Sequence, residues 1–250
     1  MLEISEVTVR FGGLEAVNKV TAKLEKGRVL GLIGPNGSGK TTLLNTISGV
    51  HVPTEGTVTL DGHQITGISP SGVAHRGLMR TFQVPRVFES LTVLENMMLP
   101  TIDGRGHDKK KNVKRARDLL AFVDLKDREN EIASMLSGGQ QKLVEFARAL
   151  MTDPKVVLMD EPFSGVHPRL IRVMTDRIAL RRKEGTSFVI VSHEIPPLMK
   201  VSDKVLCLNR GKVVCYDDPQ RVVQNNEVIA AYLGRPADDQ SRDMKGLRDV

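Results

Sequence analysis

The sequence predicts an α/β fold that carries an antiparallel β subdomain and an inserted α-helical subdomain. Three observations carry this reading. Short, nearly unbroken apolar runs at residues 29–33, 156–159 and 188–191 have strand length and helical patterns between them, as in a parallel sheet buried on both faces. Ahead of the first run, apolar and polar residues alternate, the pattern of an antiparallel sheet with one covered face. From about residue 85 to 152 the apolar spacing becomes helical.

Each element follows in order. Ile4, Val7 and Val9, then Val17, Val20 and Leu24, flank Gly12-Gly13 and read as strands. The run 29–33 leads straight into Gly34. Residues 41–48 read as a helix closed by Gly49, and 56–60 as a strand turned at Asp61-Gly62. In the helical segment, 113–123 has helical spacing, and Leu143, Phe146, Ala147 and Leu150 should form a buried stripe. Asp103-Gly104-Arg105-Gly106 marks a loop. Strand–helix alternation then returns. The run 156–159 ends in Asp160-Glu161; Ile171, Met174 and Ile178 line one helix face; 188–191 ends in Ser192-His193; 206–208 and 213–216 form a hairpin about Arg210-Gly211. Residues 1–234 are thus expected to form one domain, with the helical subdomain at about 85–152. Residues 235–250 are charged and aperiodic, and are expected to be a disordered tail.

Composition narrows the partners. An apolar content of 40% and a charged content of 26% are those of an ordinary globular domain, and the length suffices for a real core. The lack of Trp and an aromatic content of 4% argue against stacking on single-stranded nucleic acid. The net charge of +6 permits an anionic partner without specifying one. Lys109, Lys110, Lys111, Lys114, Arg115 and Arg117 read as a solvated helix face, so nucleic acid is not an expected partner. Cys207 and Cys215 form no disulfide framework and no metal pattern. Both lie in apolar, strand-like runs and should be buried small hydrophobes, which fits a reducing cytosol. The first residues lack a signal peptide's basic start and apolar core, and no apolar run approaches the roughly 20 residues that cross a bilayer. Any membrane role is therefore expected to come through a partner.

Gly34-Pro35-Asn36-Gly37-Ser38-Gly39-Lys40-Thr41 is a phosphate-binding loop in sequence. Its glycines let backbone N–H groups turn toward phosphates, where side chains would collide. The helix that follows points its positive end at the same charge. Lys40 is placed to neutralise the β- and γ-phosphates, and the Thr41 hydroxyl to ligate Mg²⁺. This loop names a superfamily and no single function.

Leu136-Ser137-Gly138-Gly139-Gln140 narrows it. Ser137 can cap the next helix, and the two glycines leave its first N–H groups bare, a second anion site. One nucleotide rarely needs two γ-phosphate sites. The second is therefore expected to serve a nucleotide held by another subunit.

With these motifs in place the chain resembles the nucleotide-binding subunits of ABC transporters, over nearly its whole length to about Gly234. Leu136 to Gln140 matches the family signature. Val156-Val157-Leu158-Met159-Asp160-Glu161-Pro162 matches the Walker B strand and catalytic glutamate. Gln83, in Arg80-Thr81-Phe82-Gln83, matches the Q-loop; His193 matches the switch histidine; Phe11 matches the aromatic that stacks on adenine. Phe11-Gly12-Gly13-Leu14-Glu15-Ala16-Val17, the stretch Arg80 to Pro85, Leu91-Thr92-Val93-Leu94-Glu95-Asn96 and Val228-Ile229-Ala230-Ala231-Tyr232-Leu233-Gly234 resemble the ATPases of branched-chain amino acid importers. The Phe-Gly-Gly start resembles the longer of that family's two ATPase types.

The resemblance implies a P-loop ATPase core that hydrolyses ATP with Mg²⁺. The implied nucleotide-binding residues are Phe11, Val17, Asn36, Gly37, Ser38, Gly39, Lys40, Thr41, Thr42, Ser137, Gly138, Gly139 and Gln140. The implied catalytic residues are Glu161, His193, Lys40 and Gln83, with Thr41, Gln83 and Asp160 at the metal. Asp160 would hold Mg²⁺ directly or through water, and Glu161 would accept a proton from the attacking water or orient it. The implied partners are a second ATPase subunit, identical or paralogous, two transmembrane permeases and, indirectly, an extracytoplasmic solute-binding protein, at the cytoplasmic face of the membrane. A permease helix is expected to dock near Pro85 to Leu99, where Val87, Phe88, Leu91 and Val93 read equally as groove or core. The alternatives are another ABC system, such as a lipid exporter or another importer, and a soluble ABC ATPase acting on nucleic acid. Two departures stand out. His167 replaces the Asp common in the D-loop Ser164-Gly165-Val166-His167, and Ser192 precedes His193 where many of these importers have Glu.

Overall fold

The computed structural model describes residues 1–101 and 108–233. The expected loop at Asp103 to Gly106 and the charged tail lie outside them. Two sheets organise the chain. Strands β1 (Leu2–Phe11) and β2 (Leu14–Leu24) form an antiparallel hairpin; β3 (Val29–Ile33) runs into α1 (Lys40–Ile47). Then come β4 (Glu55–Leu60), β5 (His63–Gln64), α2 (Pro70–His75) and β6 (Leu78–Arg80). The helical subdomain holds α3 (Val93–Met98), α4 (Lys109–Phe122) and α5 (Gly138–Ala149). The chain returns through β7 (Val156–Asp160), α6 (Pro168–Lys183), β8 (Ser187–Val191), α7 (Ile195–Val201), β9 (Lys204–Asn209), β10 (Lys212–Asp217), α8 (Pro219–Val222) and α9 (Asn226–Leu233).

The small sheet has the order β2-β1-β4-β5 and is antiparallel. The large sheet has the order β10-β9-β3-β8-β7-β6; it is parallel except for β10. The unbroken apolar runs are explained by two cores, one on each face of this sheet. Val29, Ile33, Val157, Met159, Phe188 and Ile190 point into the core shared with the helical subdomain. Leu30, Leu32, Val156, Leu158, Val189 and Val191 point into the core shared with the small sheet and α1. The side-chain period of two sends alternate residues to opposite faces, and both faces are covered.

Four details refine the reading from sequence. Helix α4 starts at Lys109, ahead of residue 113, because the Asp108 carboxylate caps it by accepting from Lys110 N–H and Lys111 N–H. Its basic face is only partly solvated: Arg115 donates to the carbonyls of Met151 and Leu150, tying α4 to the end of α5. Cys207 is buried as expected, whereas Cys215 is only half-buried on β10. The expected docking region divides in the same way. Val93 is core and Val87 packs against core, while Phe88 is 56% exposed. Leu91 lines an apolar groove of about 560 Å³ together with Leu94, Met98, Leu99 and Val113. Buried Asn96 holds the segment beside this groove, accepting from Phe88 N–H and donating to the Phe88 and Thr92 carbonyls.

Candidate functional site

In a parallel sheet every strand ends at the same edge, and ligands bind there in open α/β folds. The order β3-β8-β7-β6 places four functional strand ends side by side. Beyond β3 lies the phosphate loop, beyond β8 His193, beyond β7 Glu161, and beyond β6 Gln83. Asp160 stands opposite Val191 in the β7–β8 register. The resulting cleft, of about 660 Å³, is lined by Phe11, Asn36, Gly37, Ser38, Gly39, Lys40, Thr41, Thr42, Gln83, Asp160, Glu161 and His193 among others.

The loop's backbone requires its glycines. Gly34 has φ 144° and a Cβ there would stand 2.1 Å from the Leu208 carbonyl oxygen; Gly39 has φ 105° and its Cβ would meet the Ala16 oxygen at 2.4 Å. Any side chain would push the loop off the sheet. Gly39 also heads α1 without offering a side-chain cap, and no acidic residue lies in the first turn. The helix's leading N–H groups are thus available to an anion. Ser38 Oγ is buried without a hydrogen-bond partner, a polar atom whose burial is costly unless a ligand satisfies it. The Lys40 ammonium folds onto the loop, donating to the carbonyls of Gly34 (2.6 Å) and Pro35 (3.0 Å). Phe11 lies at the rim, 48% exposed, edge-on to His51, an aromatic face open to a planar base.

Glu161 sits in the left-handed region at φ 49°, a conformation that costs about 1–2 kcal/mol for an L-residue and is over-represented at functional sites. Its carboxylate accepts the His193 N–H at 3.0 Å, and His193 Nε2 lies 3.3 Å from its other oxygen. Burial is the main force on this carboxyl and pushes it up to about 7, against the pull of the His193 N–H and the Lys40 charge.

Two residues that hold the cleft's carboxylate-bearing strand end from behind were not singled out in the sequence. Arg80 donates from Nη2 to Asp160 Oδ2 (3.0 Å) and from Nη1 to Asn45 Oδ1 (2.6 Å) and Ser48 Oγ (3.0 Å). It holds one Asp160 oxygen in a pair whose side chains are each only 10% exposed. Lys142, on α5, donates to the carbonyls of Glu161 (2.6 Å) and Ser164 (2.8 Å). It fixes the backbone at Glu161. Arg80 opens the quoted stretch Arg80 to Pro85, but its partners lie 32, 35 and 80 residues away and those of Lys142 lie 19 and 22 away, so no local pattern could reveal these contacts. Tyr232, within the quoted stretch Val228 to Gly234, makes a third such contact: its phenol accepts the Gly34 N–H at 2.9 Å, 198 residues away.

Val17 is not brought to the cleft wall. It is fully buried beneath the loop, its Cγ2 against the position a Gly39 Cβ would take, so it supports the loop from below. Ser137, Gly138, Gly139 and Gln140 are also absent from the cleft; Ser137 and Gln140 line a separate hollow with His167. Ser137 Oγ accepts Gln140 N–H and Gln140 Oε1 accepts Ser137 N–H, a capping box. The departure at His167 has a local use: its Nδ1 accepts Arg169 N–H and caps α6. Ser192 Oγ accepts Glu194 N–H in the same manner.

The ABC transporter family model matches residues 17–164, more than half of the chain. A probable branched-chain amino acid transport ATP-binding protein LivG of Archaeoglobus fulgidus is 37% identical, the alignment covering 94% of this chain and 95% of that one. The high-affinity branched-chain amino acid transport ATP-binding protein BraF of Pseudomonas aeruginosa is 34% identical over 94% of this chain and 98% of its own. A crystal structure of the ADP conformation of an ABC-transporter ATP-binding cassette superposes with a TM-score of 0.86 at 32% identity, covering 94% of this chain and 99% of that one. A dimeric cassette in a post-hydrolysis state, bound to ADP and Pi, has a TM-score of 0.76 at 28% identity, over 88% and 99% of the two chains. Among the described residues no helix is long and apolar enough to cross a membrane. The chain belongs to the ABC transporter family of ATPases, among the branched-chain amino acid transport ATP-binding proteins.

Proposed function

We propose that this chain hydrolyses Mg²⁺·ATP to energise import of branched-chain amino acids, as the longer ATPase type of a transporter with a second cassette, two permeases and a solute-binding protein. One observation carries the reading: the ends of β3, β6, β7 and β8 converge on a single cleft that offers a phosphate cradle, a buried carboxylate near neutral pKa, and an open aromatic rim.

The donors that would hold the cation are the Thr41 hydroxyl, the Gln83 carbonyl and Asp160. All are oxygen, and one carboxylate with substrate phosphates is the usual set for Mg²⁺. When bound, Mg²⁺ draws charge from the phosphoryl oxygens. The Lys40 ammonium leaves the Gly34 and Pro35 carbonyls for the β- and γ-phosphates, and the bare α1 N–H groups hold the same charge. Glu161 takes or orients the proton of the attacking water; a carboxyl poised at about 7 suits that exchange. The His193 N–H fixes one Glu161 oxygen and so aims the other. Phe11 stacks on the adenine. The separate Ser137–Gln140 helix start acts on the nucleotide of the second cassette, in a head-to-tail pair at the cytoplasmic face of the membrane.

The test is reconstitution with permeases and a binding protein of a branched-chain amino acid importer from the same cell. ATP turnover should rise on adding leucine, isoleucine or valine, and Glu161→Gln should abolish it while keeping nucleotide affinity. Turnover indifferent to all three amino acids refutes the solute assignment, and near-wild-type turnover in Glu161→Gln removes Glu161 from its role.

A further inference from the structure

Helix α5 carries a buried carboxylate that the reaction does not use. Glu145 is 3% exposed. Its Oε2 accepts Phe82 N–H at 3.2 Å and its Oε1 accepts Arg86 N–H at 3.1 Å. These two main-chain donors bracket Gln83, so one side chain fastens both ends of the loop that places Gln83 in the cleft. The loop is drawn closed around this point. The Arg86 guanidinium lies 3.8 Å from the centre of the Phe82 ring, a cation–π contact. Arg148, one turn along α5, donates to the Arg86 carbonyl at 2.5 Å. One turn in the other direction, Lys142 grips the Glu161 and Ser164 carbonyls.

Burying a carboxylate is expensive, and breaking its charge-assisted hydrogen bonds costs more than breaking neutral ones. A shift of residues 82–86 against α5 therefore strips Glu145 of both main-chain donors and leaves it only the Arg148 guanidinium at 4.0 Å. The backbone on either side of Gln83 is thus anchored to one side chain of α5. Eight residues upstream, about 12 Å along the axis, the same helix begins at the Ser137 cap.

We propose that Glu145 is a positioning residue that makes Gln83 and the Ser137–Gln140 helix start move as one body. Nucleotide contact at Gln83 then resets the end of α5 that faces the second cassette. The inference rests on the ATP reading above and adds to it the side chain that links the two anion sites within one chain.

The experiment uses the full chain with Glu161→Gln, at a concentration where light scattering shows monomer. Amide hydrogen exchange is followed with and without Mg²⁺·ATP. In this parent, ATP should slow exchange about threefold or more both at residues 82–86 and at 137–142, the latter reporting the α5 start. Adding Glu145→Ala should leave ATP affinity within about threefold and abolish the ATP response at 137–142. Because the readout is the ratio with and without ATP, a general loosening of α5 does not imitate the result. Glu145→Gln, which keeps the shape and one acceptor oxygen, should cut the response by about half or more, and it serves where the alanine variant does not fold. A response of parental size in either variant overturns the proposal. So does a parent that binds ATP without any response at 137–142. A parent that fails to bind Mg²⁺·ATP refutes the proposed function itself, and is told apart by its calorimetric titration.

Discussion

Glu161→Gln should change the stability of the nucleotide-free protein in a pH-dependent way. The substitution keeps the shape of the side chain and removes its ionisation. Burial raises the Glu161 carboxyl from 4.5 to about 7, and each tenfold change in proton affinity corresponds to about 1.4 kcal/mol. The full product is about 3 kcal/mol; the carboxyl is buried but lines the cleft wall, so about 2–3 kcal/mol is the working value. The sign follows from proton binding. The folded state holds this proton more tightly than the unfolded chain, so the neutral acid's advantage is complete below pH 4.5. It is lost as the pH rises through about 7, where the charged form must stay buried. Wild type should therefore weaken relative to Glu161→Gln by about 2–3 kcal/mol between pH 4.5 and 8. Urea unfolding of both proteins at several pH values, without nucleotide or Mg²⁺, measures the difference, and titrations common to the two cancel. A difference that stays flat over that range refutes the claim that the fold holds this carboxyl near 7.

Three further substitutions test other parts of the cleft. Lys40→Ala should weaken ATP binding by about tenfold or more in calorimetry, and an unchanged dissociation constant contradicts the loop assignment. Arg80→Ala strips Asp160 of its buried partner and should cost about 3–5 kcal/mol in the nucleotide-free protein. Thermal melts should show Mg²⁺·ATP recovering part of that loss, because the carboxylate regains a cation; no recovery refutes the idea that Arg80 and the metal share Asp160. Tyr232→Phe leaves the Gly34 N–H buried without its acceptor and should cost about 1–3 kcal/mol. Its ATP affinity should fall as well, and unaltered melting and binding refute a role for α9 in holding the loop.

What the sequence disclosed depended on how far apart the cooperating residues lie. The loop from Gly34 to Thr41, the Ser137 cap and the Asp160-Glu161 strand end are contiguous, and each follows from local geometry. The strands at 29–33, 156–159 and 188–191 were legible because both of their faces are covered. By contrast β6 has three residues and too short a pattern to register. Helix α7 begins with Ile195-Pro196-Pro197, residues that suggest a break and in fact suit the first turn, where no N–H is needed. Arg80, Lys142, Glu145 and Tyr232 act through partners on distant strands and loops, which only the fold brings near. Val17 shows the opposite limit: adjacency to the loop in space did not place it on the cleft wall, because its strand turns it into the core.

The proposed function requires a complete site shared between two cassettes, the cleft of one facing the Ser137–Gln140 helix start of the other. Sedimentation of the Glu161→Gln chain with Mg²⁺·ATP, alone and with its paralogous cassette and permeases, tests this most directly. A nucleotide-dependent pair that disappears on Ser137→Arg in the opposing subunit is the expected result. Protein that stays single with ATP bound in every one of those mixtures contradicts it.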